Sequence, residues 1–172
     1  IRLQRMLDNG ANDVRDVAHR TGIPKQIPGL PWETLTEQGS DPYDGLILGQ
    51  YPIRVRDMAT GLATFAAEGQ HRPTHFIERV ETADGEVLLD NSSVEAERAV
   101  DADVANNLSS AMLPIADYSN NHGLAGGRPS ASKSGTTQLG DTGFNKDAWF
   151  VGYTPSIATA VWVGTDDNKP LL

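Results

Sequence analysis

The last third of the chain limits the fold more than any other stretch. In residues 157–164, Ile157, Thr159, Val161 and Val163 alternate with Ala158, Ala160 and Trp162. Alternation rich in β-branched residues predicts a strand. Both faces of that strand are largely apolar, so both need cover. Thr154-Pro155-Ser156 reads as a tight turn. Ahead of it, residues 148–153 predict a second strand and residues 130–137 a third. The three form an antiparallel sheet, expected to lie between helices.

The helices come from upstream. Leu3, Met6 and Leu7 recur at helical spacing until Gly10, and Asn12 stands as an N-cap for a second helix that stops at Gly22. Residues 23–45 are rich in proline and glycine and predict a long irregular loop, pinned by Trp32 and Leu35. The short apolar run 46–48 is read as a strand. Residues 54–68 predict an amphipathic helix whose stripe is Val55, Met58, Ala59, Leu62, Phe65 and Ala66, ended by Gly69. Ala83-Asp84-Gly85 joins two β-like runs, 74–81 and 86–90, as a hairpin. Residues 101–113 predict another helix, with Val104, Leu108 and Met112 on one face and Pro114 beyond it.

At 172 residues this is enough chain for one domain, but not comfortably two. The formal charge of -9 opposes contact with phosphate backbones, so nucleic acid is not an expected partner. With no cysteine, disulfides, zinc–thiolate sites and a cysteine nucleophile are excluded. No pair among His19, His71, His75 and His122 has metal-ligand spacing, so no metal and no cofactor are expected. No apolar run reaches the roughly 20 residues of a membrane span. The chain opens on Ile1 without an initiator Met, and is expected to be part of a longer polypeptide.

Chemistry concentrates at Lys133-Ser134-Gly135-Thr136. On a strand, Ser134 and Thr136 project from one face, about 6–7 Å apart. Gly135 between them lets a substrate approach the backbone. Lys133 alternates to the other face, but its stem can reach around a strand edge. Two hydroxyls and an ammonium beside strand N–H groups suit a carboxylate or an oxyanion.

The surrounding run extends this motif. Gly126-Gly127-Arg128-Pro129-Ser130-Ala131-Ser132 leads into it, and Asp147-Ala148-Trp149-Phe150-Val151-Gly152-Tyr153-Thr154-Pro155 and Ala160-Val161-Trp162-Val163-Gly164 follow. These residues, with Leu48-Gly49-Gln50-Tyr51 and Arg56-Asp57-Met58-Ala59, resemble the C-terminal half of the transpeptidase domain of bifunctional (class A) penicillin-binding proteins. The wording is most similar to that of actinobacterial, mycobacteria-like members. The resemblance implies the serine β-lactamase/penicillin-binding-protein fold, an α+β arrangement of which residues 1–172 supply the C-terminal portion. The portion carrying the nucleophile would come from upstream or from a separate chain.

The resemblance also implies roles. The family's motifs are Ser-x-x-Lys, Ser-x-Asn and Lys-[Ser/Thr]-Gly, and the third is the one found here. Lys133 would polarise the serine of Ser-x-Asn, and Ser134 and Thr136 would hold the terminal carboxylate of a D-Ala-D-Ala stem peptide or of a β-lactam. The Thr136 N–H would donate to the oxyanion, with Gly135 and Thr137 lining the cleft. The reaction implied is acyl transfer through a serine, without a cofactor. It implies an extracytoplasmic location, with an anchor outside these residues. Two other readings remain at this stage, a β-lactamase or D,D-carboxypeptidase relative, and a non-catalytic sensor of β-lactams or peptidoglycan.

Two matches are decoys. Ser130-Ala131-Ser132-Lys133 spells Ser-x-x-Lys, but that motif needs a helix start to bring positions i and i+3 together. Ser119-Asn120-Asn121 spells Ser-x-Asn at a point in the chain where the family does not place it. Residues 117–127 are expected to loop near the cleft mouth, with His122 at its rim. Asp141, Asn145, Lys146 and Asp147 read as a solvated strand connection, and Asp166-Asp167-Asn168-Lys169 as a solvated turn.

Overall fold

The structure, a computed structural model, describes residues 2–119 and 123–171. Helix α1 (Arg2–Thr21) breaks at Gly10, where φ is 77°, as the spacing predicts. Asn12 does not cap the second part. It lies inside the helix, and its buried Oδ1 has no partner among the described residues. Gly22 ends α1 at φ 123°, its N–H donating to the His19 carbonyl at 3.2 Å.

The loop of residues 23–45 is pinned differently from the sequence expectation. Leu35 is buried, but Trp32 lies at the surface. Thr34 holds the loop instead. Its hydroxyl donates to the Pro24 carbonyl, and its N–H donates to the Lys25 carbonyl at 2.9 Å. The run 46–48 is not a strand. It belongs to a short 3-10 helix (Asp44–Leu48) closed by Gly49 at φ 80°, and Leu48 is 82 % exposed. An apolar run this short has no period to separate strand from helix, and the flanking Gly45 and Gly49 favour the turn.

Helix α2 (Val55–Ala66) buries Leu62 of the predicted stripe and half-buries Met58, Ala59, Phe65 and Ala66, but Val55, in the first turn, is exposed; a second buried face is made of Asp57, Thr60 and Thr64. Thr64 donates to the Thr21 carbonyl at 2.7 Å, joining α2 to α1. Arg54 grips buried Asp57 with two hydrogen bonds, at 2.6 and 3.0 Å. Strand β1 (Gln70–His71) follows. The hairpin is present as β2 (Arg79–Glu81) and β3 (Val87–Asp90), exposed along both strands. Strand β4 (Glu97–Arg98) returns to pair with β1.

Gly69, at φ 85°, leads into β1. A Cβ there would lie 2.2 Å from the Val100 carbonyl oxygen. Gly69→Ala should destabilise the folded protein by about 2 kcal/mol or more, since left-handed backbone and a backbone clash add. Thermal unfolding of the full-length variant checks this, and an unchanged Tm would refute it.

Helix α3 (Ala102–Met112) and a single turn, α4 (Ile115–Tyr118), precede a 3-10 turn at Ala125–Gly127. Then come β5 (Ala131–Gln138), β6 (Asn145–Thr154) and β7 (Ile157–Gly164), an antiparallel sheet in the order β5-β6-β7. Leu62 of α2 packs on Ala131, Val151 and Tyr153 of the sheet, with Met58, Phe65, Met112, Ala158 and Ala160 around them. Ser109 of α3 bonds the Tyr153 hydroxyl at 2.8 Å. These contacts lie on one face of the sheet. The expected cover on the other face is not supplied by the described residues, and Ile157, Val161 and Val163 stand 60 %, 50 % and 53 % exposed.

Candidate active site

Among the described residues, strand β5 carries the motif at a sheet edge and is hydrogen-bonded to β6 alone. In register, Lys133 faces Val151, Ser134 faces Phe150, Gly135 faces Trp149, Thr136 faces Ala148 and Thr137 faces Asp147. The strand is therefore split by alternation. Ser132, Ser134 and Thr136 point to the face away from the helices, which is closed at Ser132 and open at Ser134 and Thr136. Lys133, Gly135 and Thr137 share the face of the helices.

Ala131 and Ser132 are buried, while Lys133, Ser134 and Thr136 are exposed. The chain thus anchors the start of β5 and presents its middle. Gly152 helps to seat the buried end, because a Cβ there would come within 2.8 Å of the Ala131 carbonyl oxygen. Gly135 is under no such demand, since a Cβ would meet only Trp149 Cβ, at 3.6 Å. The space it leaves is available to a molecule from outside. Lys133 Nζ donates to the carbonyl of Ser134. It makes no ion pair among the described residues.

The backbone argues against the first decoy. Ser130 precedes a strand, so it and Lys133 do not share a helical face. Ser119 caps the short α4, its N–H donating to the Ile115 carbonyl at 2.8 Å. Asn120, Asn121 and His122 lie outside the described residues. His19 Nδ1 sits 2.9 Å from the Ile23 carbonyl oxygen and His71 Nδ1 sits 3.1 Å from the Thr64 hydroxyl, neither on the motif strand. Among the described residues, no three or more acidic or histidine side chains converge as a metal site.

The reading of residues 145–147 as loop is corrected. They open β6, where Asp147 is half-buried and accepts a hydrogen bond from Trp162 Nε1 at 2.9 Å. Asp141 lies in the exposed turn as expected. Among the described residues two carboxylates stand below the ordinary range, neither on the motif strand. Asp90 is lowered by the Ser92 hydroxyl and amide, with Arg79 adding to them. Asp167 is lowered by Lys169, in the turn after β7.

Residues 53–169 match the family model described as the penicillin binding protein transpeptidase domain. The chain belongs to that family. It is 52 % identical over 175 residues to penicillin-binding protein 1A of Mycolicibacterium smegmatis, and 51 % identical over 176 residues to penicillin-binding protein 1A of Mycobacterium tuberculosis. Each alignment covers 99 % of this chain but only 22 % and 21 % of the relative, so the chain spans about a fifth of their length.

The solved structure of the PonA1 protein from Mycobacterium tuberculosis in complex with penicillin V superimposes with a TM-score of 0.92 at 50 % identity, covering 99 % of this chain and 46 % of that one. Penicillin-binding protein A from M. tuberculosis, at 24 % identity and a TM-score of 0.70, shares the fold. A transpeptidase-family sheet, with its motif strand at the edge and helices on one face, is what the described residues build.

Proposed function

We propose that this chain is the Lys133-to-Thr137 half of a serine D,D-transpeptidase active site, which cross-links peptidoglycan stem peptides and is acylated by β-lactams. The observation carrying the proposal is the presentation of Lys133, Ser134 and Thr136, exposed on an edge strand of a transpeptidase-family sheet. The penicillin V complex of the PonA1 protein supports the β-lactam part.

The family resemblance implies a division of labour that the geometry supports. Ser134 and Thr136 share a face and bind the terminal carboxylate of the stem peptide. Lys133 adds positive charge from the edge and polarises a serine supplied by the remainder of the domain. A serine there attacks the D-Ala-D-Ala carbonyl, the amide C–N bond breaks, and D-Ala leaves as the amine. The amine of a neighbouring stem peptide then takes the acyl group. The Thr136 N–H donates to the developing oxyanion, and losing one such donor costs about 2.7–4 kcal/mol of transition-state stabilisation. Gly135 keeps the approach open, and Thr137 edges the cleft. Among the described residues no helix is long and apolar enough to cross a membrane. The extracytoplasmic location proposed for this chemistry therefore rests on the substrate.

Intact-mass spectrometry of the full-length protein before and after penicillin tests the reading. One adduct per molecule, located outside residues 1–172, is expected. No adduct would overturn it, and an adduct on Ser130 or Ser119 would overturn the assignment of the nucleophile.

A further inference from the structure

Among the described residues the motif strand is held along one edge only, so its position depends on β6. The β5–β6 ladder runs in regular register from Ala131–Tyr153 to Thr137–Asp147, and then slips at a bulge before Gln138–Asn145. Thr137–Asp147 is therefore the last regular pair, and it adjoins Thr136. Strand ends next to a bulge are where pairing is locally disrupted.

At this pair the sheet has a cross-tie. Asp147 Oδ1 accepts the Trp162 Nε1 hydrogen bond at 2.9 Å. Asp147 stands opposite Gly164 on β7, and Trp162 stands opposite Trp149, so the bond runs diagonally between β7 and β6. Gly164 makes it possible. A Cβ at that position would lie 2.2 Å from Trp162 Cζ2 and 2.7 Å from Cε2. The indole lies over the bare glycine and turns its N–H toward the carboxylate.

We propose that Asp147 and Trp162 are positioning residues for acyl transfer, holding the end of β5 so that the Thr136 amide and hydroxyl meet the reacting group. This inference rests on the acyl-transfer reading above. The two residues act through β5 and do not touch the substrate. Loss of the tie lets the Thr136–Thr137 end move, and a misplacement of about 1 Å can cost up to about 100-fold in rate. A bond that merely stabilised the sheet would lower the melting temperature and leave the chemistry of folded molecules unchanged.

The test is penicillin acylation of the full-length protein, resolved into the acylation rate constant and the dissociation constant of the pre-covalent complex. W162F and D147A should each slow acylation by about tenfold or more, with the dissociation constant within about twofold of wild type. D147N, which keeps an acceptor oxygen for the indole, should restore most of the rate that D147A loses. Should W162F fail to fold, G164A displaces the indole from the other side and should slow acylation in the same way.

Acylation by folded W162F within about twofold of wild type would overturn the inference. So would D147N as slow as D147A, because the charge and not the bond would then act. A wild-type protein that takes no adduct would overturn the acyl-transfer reading, and this inference with it. An adduct on wild type with an unslowed W162F would overturn this inference alone.

Discussion

Lys133→Ala in the full-length protein should slow covalent capture of penicillin by about 10²–10⁴-fold, the range over which a positioned proton-transfer or polarising group acts. The folded state gives no reason for a comparable loss of stability. Lys133 is exposed, and among the described residues its Nζ bonds only the neighbouring carbonyl of Ser134. Surface changes away from caps, networks and cores usually stay within about 0.5 kcal/mol. Melting temperature and acylation rate should therefore separate in this variant. Lys133→Arg keeps the charge but replaces a compact ammonium with a planar fork, and should fall between alanine and wild type. The adduct is followed by intact mass against time. Wild-type kinetics in Lys133→Ala would remove Lys133 from the mechanism and leave the roles of β5 to residues 134–137.

The motif was legible because its chemistry is local. A tetrapeptide on a strand fixes which side chains share a face, and register then adds only the opposing residues. Residues 157–164 were legible for the same reason, since alternation is visible within eight positions. Asp147 was not. It follows Gly143, Phe144, Asn145 and Lys146, a run that reads as a turn, and its partner Trp162 lies fifteen residues on. The available signal was the two-residue period Asp147, Trp149, Val151, Tyr153, which starts earlier than the apolar residues do. The second buried face of α2 was hidden in a similar way. Thr60 and Thr64 are polar by composition, and become interior only because Thr64 reaches the end of α1 and Thr60 meets Thr74, with hydroxyl oxygens 3.1 Å apart. The 3-10 turn at Asp44–Leu48 was misread because three apolar residues have no period. The unfilled face of the sheet has a different cause. The sequence predicts two covers, and the described residues provide one.

Residues 1–172 expressed alone should show no cooperative thermal transition. The protein exposes 11704 Å², whereas a compact monomer of 18.5 kDa exposes about 8,200 Å². The difference, about 3,500 Å², exceeds the 1,200–2,000 Å² that both partners together bury in a standard protein interface. Much of it is apolar, including the β7 side chains Ile157, Val161 and Val163 and the hairpin residues Val87, Leu88 and Leu89. What is buried is small. Of the ten apolar residues fully inside among those described, five are alanines, namely Ala11, Ala99, Ala105, Ala116 and Ala131. Alanine burial contributes little beside the roughly 1.5–3 kcal/mol of a buried leucine or valine, and every ordered residue costs about 1–2 kcal/mol of backbone entropy. A β-hairpin exposed on both faces is also at best marginally stable. The solved relative fits this balance, because this chain corresponds to 46 % of a larger folded chain. We therefore propose that residues 1–172 are part of one transpeptidase domain, whose remainder covers the open face of β7. Near-UV circular dichroism on heating should show a gradual slope for these residues alone and a sigmoidal transition for the full-length protein. A sharp transition from residues 1–172 alone would mean that the helical layer suffices, and that the exposed face of β7 needs no cover to be stable.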